Sequence, residues 1–163
     1  MEVDLGRSKI LSVFNHNSKT LVKLYQGKRG IDLTPTQTKM LLLGIDTIDE
    51  EANVAWNTLS STDKREYSYN LGYGVYITVS IYRGYRYYDI RRWWKPPGSK
   101  DTVPTKVGLT LNSDEIKTFD ASRKELYLTI PELVTIQPCD CWTSSDVGYL
   151  RCKRCNTFDW FNW

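Results

Sequence analysis

The chain has 163 residues, 40% hydrophobic and 25% charged, with a net charge of +3. That length and balance suit one globular domain or two small ones. No apolar run approaches membrane-spanning length, no secretory signal opens the chain, and all four cysteines fall in the last quarter, so the expected protein is intracellular and has no chain-wide disulfide framework.

In chain order, Met1 to Arg7 reads as a short tail. Ser8 to Phe14 and Lys19 to Tyr25 read as strands joined by the polar turn Asn15-His16-Asn17-Ser18. A basic bend, Gly27-Lys28-Arg29-Gly30, leads to a short third strand at Ile31-Asp32-Leu33. Thr34 is a good N-cap with Pro35 at the first helical position, and a helix is expected to about Asn53 or beyond on the apolar face of Met40 to Ile48. Ser60 to Arg65 is the best linker. Later the pattern returns. Pro104 to Leu111 repeats the basic bend and short strand, and Asn112 or Ser113 caps a short helix. That is the mark of an internal duplication. Glu125 to Ile130 reads as an added strand. The expected division is 1–58 for a first, degenerate unit, 59–72 for a linker, 73–135 for a second unit and 136–163 for a cysteine hairpin with an aromatic tail.

The most informative stretch runs from Tyr73 to Leu111. Val75, Ile77, Val79 and Ile81 alternate with Tyr76, Thr78, Ser80 and Tyr82, as a half-buried strand requires. Arg83-Gly84 makes a tight turn into a returning strand, Tyr85 to Trp94. Pairing Tyr82 with Tyr85 sets Ser80 opposite Tyr87, Thr78 opposite Asp89 and Tyr76 opposite Arg91. The polar face then carries Tyr76, Tyr82, Tyr85, Tyr87, Arg91 and Trp93. Arg83 to Lys100 holds six basic residues and one acid, Asp89. Rings interleaved with cations suit base stacking and phosphate neutralisation, although tyrosine and tryptophan also favour strands for packing alone.

Cys139-Asp-Cys141 and Cys152-Lys-Arg-Cys155 form two close pairs, a donor set for one structural tetrahedral zinc in a ribbon-like hairpin. Disulfides and unlinked buried thiols are the alternatives. The tail from Asn156 to Trp163 suits docking to a partner, occupation of the chain's own cleft, or packing as a closing strand.

The block Val79 to Trp94 followed by Lys106-Val107-Gly108-Leu109-Thr110-Leu111 resembles the positive-cofactor-four transcriptional coactivators, most specifically in Asp89-Ile90-Arg91 with Trp93-Trp94. Gly30-Ile31-Asp32-Leu33-Thr34-Pro35 is similar to the family's third strand and helix start. Together the two blocks extend the resemblance over Ser8 to about Ser122. It implies an α+β fold, a tandem pair of antiparallel-sheet-plus-helix units in which one chain holds both halves of the family's homodimer. It also implies binding of single-stranded or melted DNA. By position, Tyr82 matches a base-stacking aromatic, Arg83 a basic turn residue, Arg91 and Trp94 DNA-contacting residues, and Lys106 a basic bend residue. Lys19, Lys28 and Arg29 match basic positions in the first unit. There His16 falls where the stacking aromatic belongs and no long loop follows Tyr25, so that unit is expected to act mainly as a partner scaffold.

The expected function is non-enzymatic, largely sequence-independent single-stranded DNA binding in transcription or in replication and repair, in the nucleus or otherwise the cytoplasm. RNA is an open second ligand. Arg86, Arg92 and Lys95 complete the phosphate-binding set. The alternative is a protein-interaction subunit of a polymerase complex that uses the zinc hairpin and tail. Catalysis is disfavoured: one histidine, no glycine-rich phosphate loop and no carboxylate cluster leave nothing to assemble a reaction.

Overall fold

Period-two alternation folds each half of the chain into an antiparallel meander. The computed structural model describes residues 1–58, 64–138, 152 and 154–157. The first half forms β1 (Glu2–Gly6), β2 (Lys9–His16), β3 (Lys19–Gln26) and β4 (Arg29–Leu33), then helix α1 (Pro35–Thr58). The second forms β5 (Lys64–Gly72), β6 (Val75–Tyr82), β7 (Tyr85–Trp94) and β8 (Val103–Asn112), then α2 (Ser113–Ala121), α3 (Arg123–Thr129) and a 3-10 turn at Pro131–Val134. The result is an α+β fold with two four-stranded sheets, ordered β1-β2-β3-β4 and β5-β6-β7-β8.

The two halves repeat each other in detail. In both, a bulge precedes the first turn, and its side-chain oxygen accepts from a glycine N–H: Asp4 Oδ1 from Gly6 and Asn70 Oδ1 from Gly72, each at 2.8 Å. The second turns, Asn17-Ser18 (φ 50, 62) and Arg83-Gly84 (φ 49, 83), take positive φ at both residues, the twist that suits a two-residue hairpin. Gly30 of β4 and Gly108 of β8 lie opposite Tyr25 and Arg91. A Cβ there would come 2.3 Å from the Leu24 carbonyl oxygen or 2.7 Å from that of Ile90, so the close approach of backbones admits only glycine.

The helices cross over. α1 lies chiefly against β5 and β6 of the other half, and α2 against β1 as well as β7 and β8. Capping boxes start both helices and reach across the junction. Thr34 and Gln37 bond reciprocally, and Gln37 Nε2 donates to the buried Gly72 carbonyl at 3.0 Å. Asn112 and Glu115 do the same, and Lys9 Nζ donates to Glu115 Oε2 at 2.8 Å. Gly44 lets α1 settle onto the Tyr69 ring, which a Cβ would approach to 2.6 Å. Leu11, Leu24 and Leu33 of the first sheet, Met40 to Leu42 of α1, Ile77 and Ile90 of the second sheet, and Phe119, Leu126 and Leu133 share one continuous core. One chain thus holds a pair of interlocked units.

Several expectations change. The supposed N-terminal tail is β1, drawn in because Val3 and Leu5 reach the core side. Residues 64–72, placed within the linker, form β5, whose Tyr67, Tyr69 and Leu71 alternate inward. The supposed strand Glu125 to Ile130 is helical: Leu126, Ile130 and Leu133 recur at helical spacing and are buried together. Asn15 and His16 finish β2, and only Asn17 and Ser18 turn. Thr34, Pro35 and Asn112 start their helices as expected.

Candidate nucleic-acid interface

The β6–β7 hairpin has the register expected from its sequence: Tyr82 pairs with Tyr85, Ser80 with Tyr87, Thr78 with Asp89 and Tyr76 with Arg91. Val75, Ile77, Val79, Ile81, Tyr88 and Ile90 are buried on the inner face. Strand alternation therefore sends Tyr76, Tyr82, Tyr85, Tyr87, Asp89, Arg91 and Trp93 to the outer face. Tyr82, Tyr85 and Tyr87 are 38, 66 and 46% exposed, and Trp94 53%. The Arg83 guanidinium carbon lies 5.0 Å from the centre of the Tyr82 ring. A cation and three rings therefore cluster around the hairpin tip. The middle of the face is low, where Ser68 and Thr78 share a hydrogen bond of 3.0 Å.

Arg91 is not an open cation. Its Nε and Nη2 each donate to Asp89 at 2.9 Å, and Nη1 donates to the Thr105 carbonyl at 2.8 Å. Thr110 Oγ1 donates to the same Asp89 carboxylate at 2.8 Å. The paired hydrogen bonds that Arg91 donates to Asp89 hold its guanidinium above its ordinary pKa, against the opposing effect of partial burial. The pair is electrically neutral, so it positions polar groups at the centre of the face and adds no net positive charge. Nothing in the sequence pattern marked Thr110 or Thr105 as its supports.

The remaining expected residues divide by position. Arg83 and Lys106 are exposed at the rim, with Lys106 carried by a bulge in β8 that Thr105 braces through its hydroxyl on the Arg92 carbonyl at 2.7 Å. Arg92 and Trp94 are exposed but fall on the opposite parity of β7 from Tyr85 and Tyr87. Arg86 shares that parity and donates to Asn53 Oδ1 of α1 at 2.8 Å, so it faces the helix side. Trp93 is half-buried, and its Nε1 has no hydrogen-bond partner. Lys95 follows β7 and is half-buried.

Lys19, Lys28 and Arg29 are exposed but belong to the first sheet, at its β2–β3 and β3–β4 turns. The matched registers put His16, Lys19, Leu21 and Ile10 where the second sheet has Tyr82, Tyr85, Tyr87 and Tyr76. The first face thus lacks the stacking set.

Cys139 and Cys141 lie outside the described residues. Cys155 is buried and Cys152 half-buried, in a turn closed by Asn156 N–H on the Cys152 carbonyl at 2.8 Å. This turn docks on the β5–β6 turn, where Tyr73 N–H donates to the Arg154 carbonyl at 2.9 Å and Asn70 Nδ2 to that of Cys155 at 2.7 Å. Among the described residues no helix is long and apolar enough to cross a membrane, and no group of three or more metal-ligating side chains gathers.

The described residues thus form two interlocked sheet-and-helix units, one of which carries an exposed ring-and-cation face. Residues 69–122 match the family profile of Transcriptional Coactivator p15 (PC4), so the second unit, from β5 into α2, is a domain of that family. No curated protein and no solved structure matches the chain.

Proposed function

We infer that the chain is a non-enzymatic binder of single-stranded or melted DNA that works in transcription or in replication and repair. The observation that carries this reading is the exposed trio Tyr82, Tyr85 and Tyr87 at the β6–β7 tip, with Arg83 over one ring. Membership of the second unit in a family of transcriptional coactivators supports it. Stacking is tolerant of sequence because every base has a flat face, and it contributes about 1–3 kcal/mol per base. Tyr82, Tyr85 and Tyr87 supply the rings of the outer face, and Trp94 a further ring at the far end of β7. Arg83 and Lys106 supply the phosphate contacts of that face, and Arg92 one near Trp94. The first unit, without the stacking set, is mainly scaffold. Cys139, Cys141, Cys152 and Cys155 together suit a structural zinc, a reading supported by Cys152 and Cys155 sharing one closed turn.

The test is titration of the full chain with a labelled oligonucleotide at two salt concentrations. Affinity should fall steeply with salt, and Tyr82→Ala or Trp94→Ala should each weaken binding about tenfold across unrelated sequences. Absence of binding at either salt would sink this reading and favour a protein-interaction subunit.

A further inference from the structure

β8 ends at Asn112, opposite Tyr87, so Tyr85 and Arg86 run on without a β8 partner. Between this overhang and α2 lies a cleft of about 740 Å³, walled by Arg7, Asn53, Tyr85, Arg86, Tyr87 and Lys117. It joins the two units, because Arg7 and Asn53 come from the first half and the others from the second. Its mouth carries Tyr85 and Tyr87, the most exposed rings of the outer face. The cleft is therefore the continuation of that face around the end of the sheet.

Three cations line it against two acids, Asp49 and Asp114. Asp49 accepts the Tyr88 hydroxyl at 2.8 Å and so is partly satisfied from within the protein. Arg7 is held in the β1–β2 turn at φ 50, where its carbonyl accepts from Gln26 Nε2 at 2.8 Å. The matching residue in the other half is Tyr73. That corner is covered by the C-terminal turn through the Arg154 carbonyl. Among the described residues, the repeat leaves this corner open at Arg7 and covered at Tyr73.

We propose that an unpaired nucleic-acid strand lying on the outer face turns at the hairpin tip into this cleft, setting a phosphodiester between Arg7 and Lys117 and a base against Tyr85. The proposal rests on the single-strand reading above. It gives the first unit a direct contact through Arg7, although that unit's own face has no stacking set.

The experiment compares oligothymidines of roughly 4 and 16 nucleotides, the span of ordinary single-strand site sizes, on the full chain. Arg7→Glu and Lys117→Glu should each weaken the long probe five- to tenfold and leave the short one unchanged. Together they should flatten the salt slope by about 0.7 per lost contact. Lys124→Glu, at an exposed position on α3, should leave the long probe unchanged. Equal losses on both probes, no loss on either, or an equal loss from Lys124→Glu would overturn the proposal. Tyr82→Ala separates the two readings. If it weakens both probes while Arg7→Glu weakens neither, the face stands and the cleft falls; if it weakens neither, both fall.

Discussion

Tyr88 places its ring in the core and its hydroxyl on the Asp49 carboxylate of α1, so one side chain ties the second sheet to the first unit's helix. Burial, then the hydrogen bond and charge of Asp49, push its phenol up to about 12. The neutral phenol is the form the fold favours. Its stabilising contribution is fully present below the ordinary tyrosine value, about 10, and is lost as pH rises from there towards 12. Tyr88→Phe should cost about 1–2 kcal/mol near neutrality. In urea unfolding followed across alkaline pH, the gap between variant and wild type should close over that window. A gap that stays constant would mean that the hydroxyl does not contribute this way. Arg91 teaches a related lesson. A basic residue in a binding face is not always a cation on offer, and Asp89, two positions away on the same strand face, neutralises it.

Among the elements, the β6–β7 hairpin was the most legible. A long alternation and a turn with glycine leave one register that buries every aliphatic residue. β1 carries little local signal because only Val3 and Leu5 mark it, and β5 because serine, threonine and charge surround its start. At α3, Leu126, Leu128 and Ile130 fit period two as well as a helix; Leu128 is exposed, and the partner of Leu126 and Ile130 is Leu133. The C-terminal turn is an element the sequence marked only through its cysteines. If zinc holds Cys152 and Cys155 together with Cys139 and Cys141, the purified chain should contain one zinc ion. Chelation should then speed hydrogen exchange at the Tyr73 amide, which the Arg154 carbonyl now protects. Zinc-free protein with an equally protected Tyr73 would rule the metal out.

At the scale of the whole molecule, the two crossings of the junction are alike in geometry and unlike in charge. Gln37 brings a neutral amide to the Gly72 carbonyl, while Glu115 brings a carboxylate, 2% exposed, to Lys9. Glu115 Oε1 has no hydrogen-bond partner, so this carboxylate depends on the lysine. Lys9→Met should cost on the order of 3–5 kcal/mol, because it leaves a buried charge without its counterion. The double variant Lys9→Met, Glu115→Gln should recover a large part, since an amide already serves at the matching position. Denaturant unfolding of the single and double variants checks both. A single variant within 0.5 kcal/mol of wild type (about the scatter of an inert surface change) would show that the pair contributes little.

Local periodicity by itself determined the repeat, the hairpin register and the ring-bearing face, because alternation and turn chemistry act between residues that are near neighbours in the chain. It could not determine which helix covers which sheet or the cleft between Arg7 and Lys117. Those depend on groups far apart in sequence, and only the crossing of the two halves brings them within reach of one another.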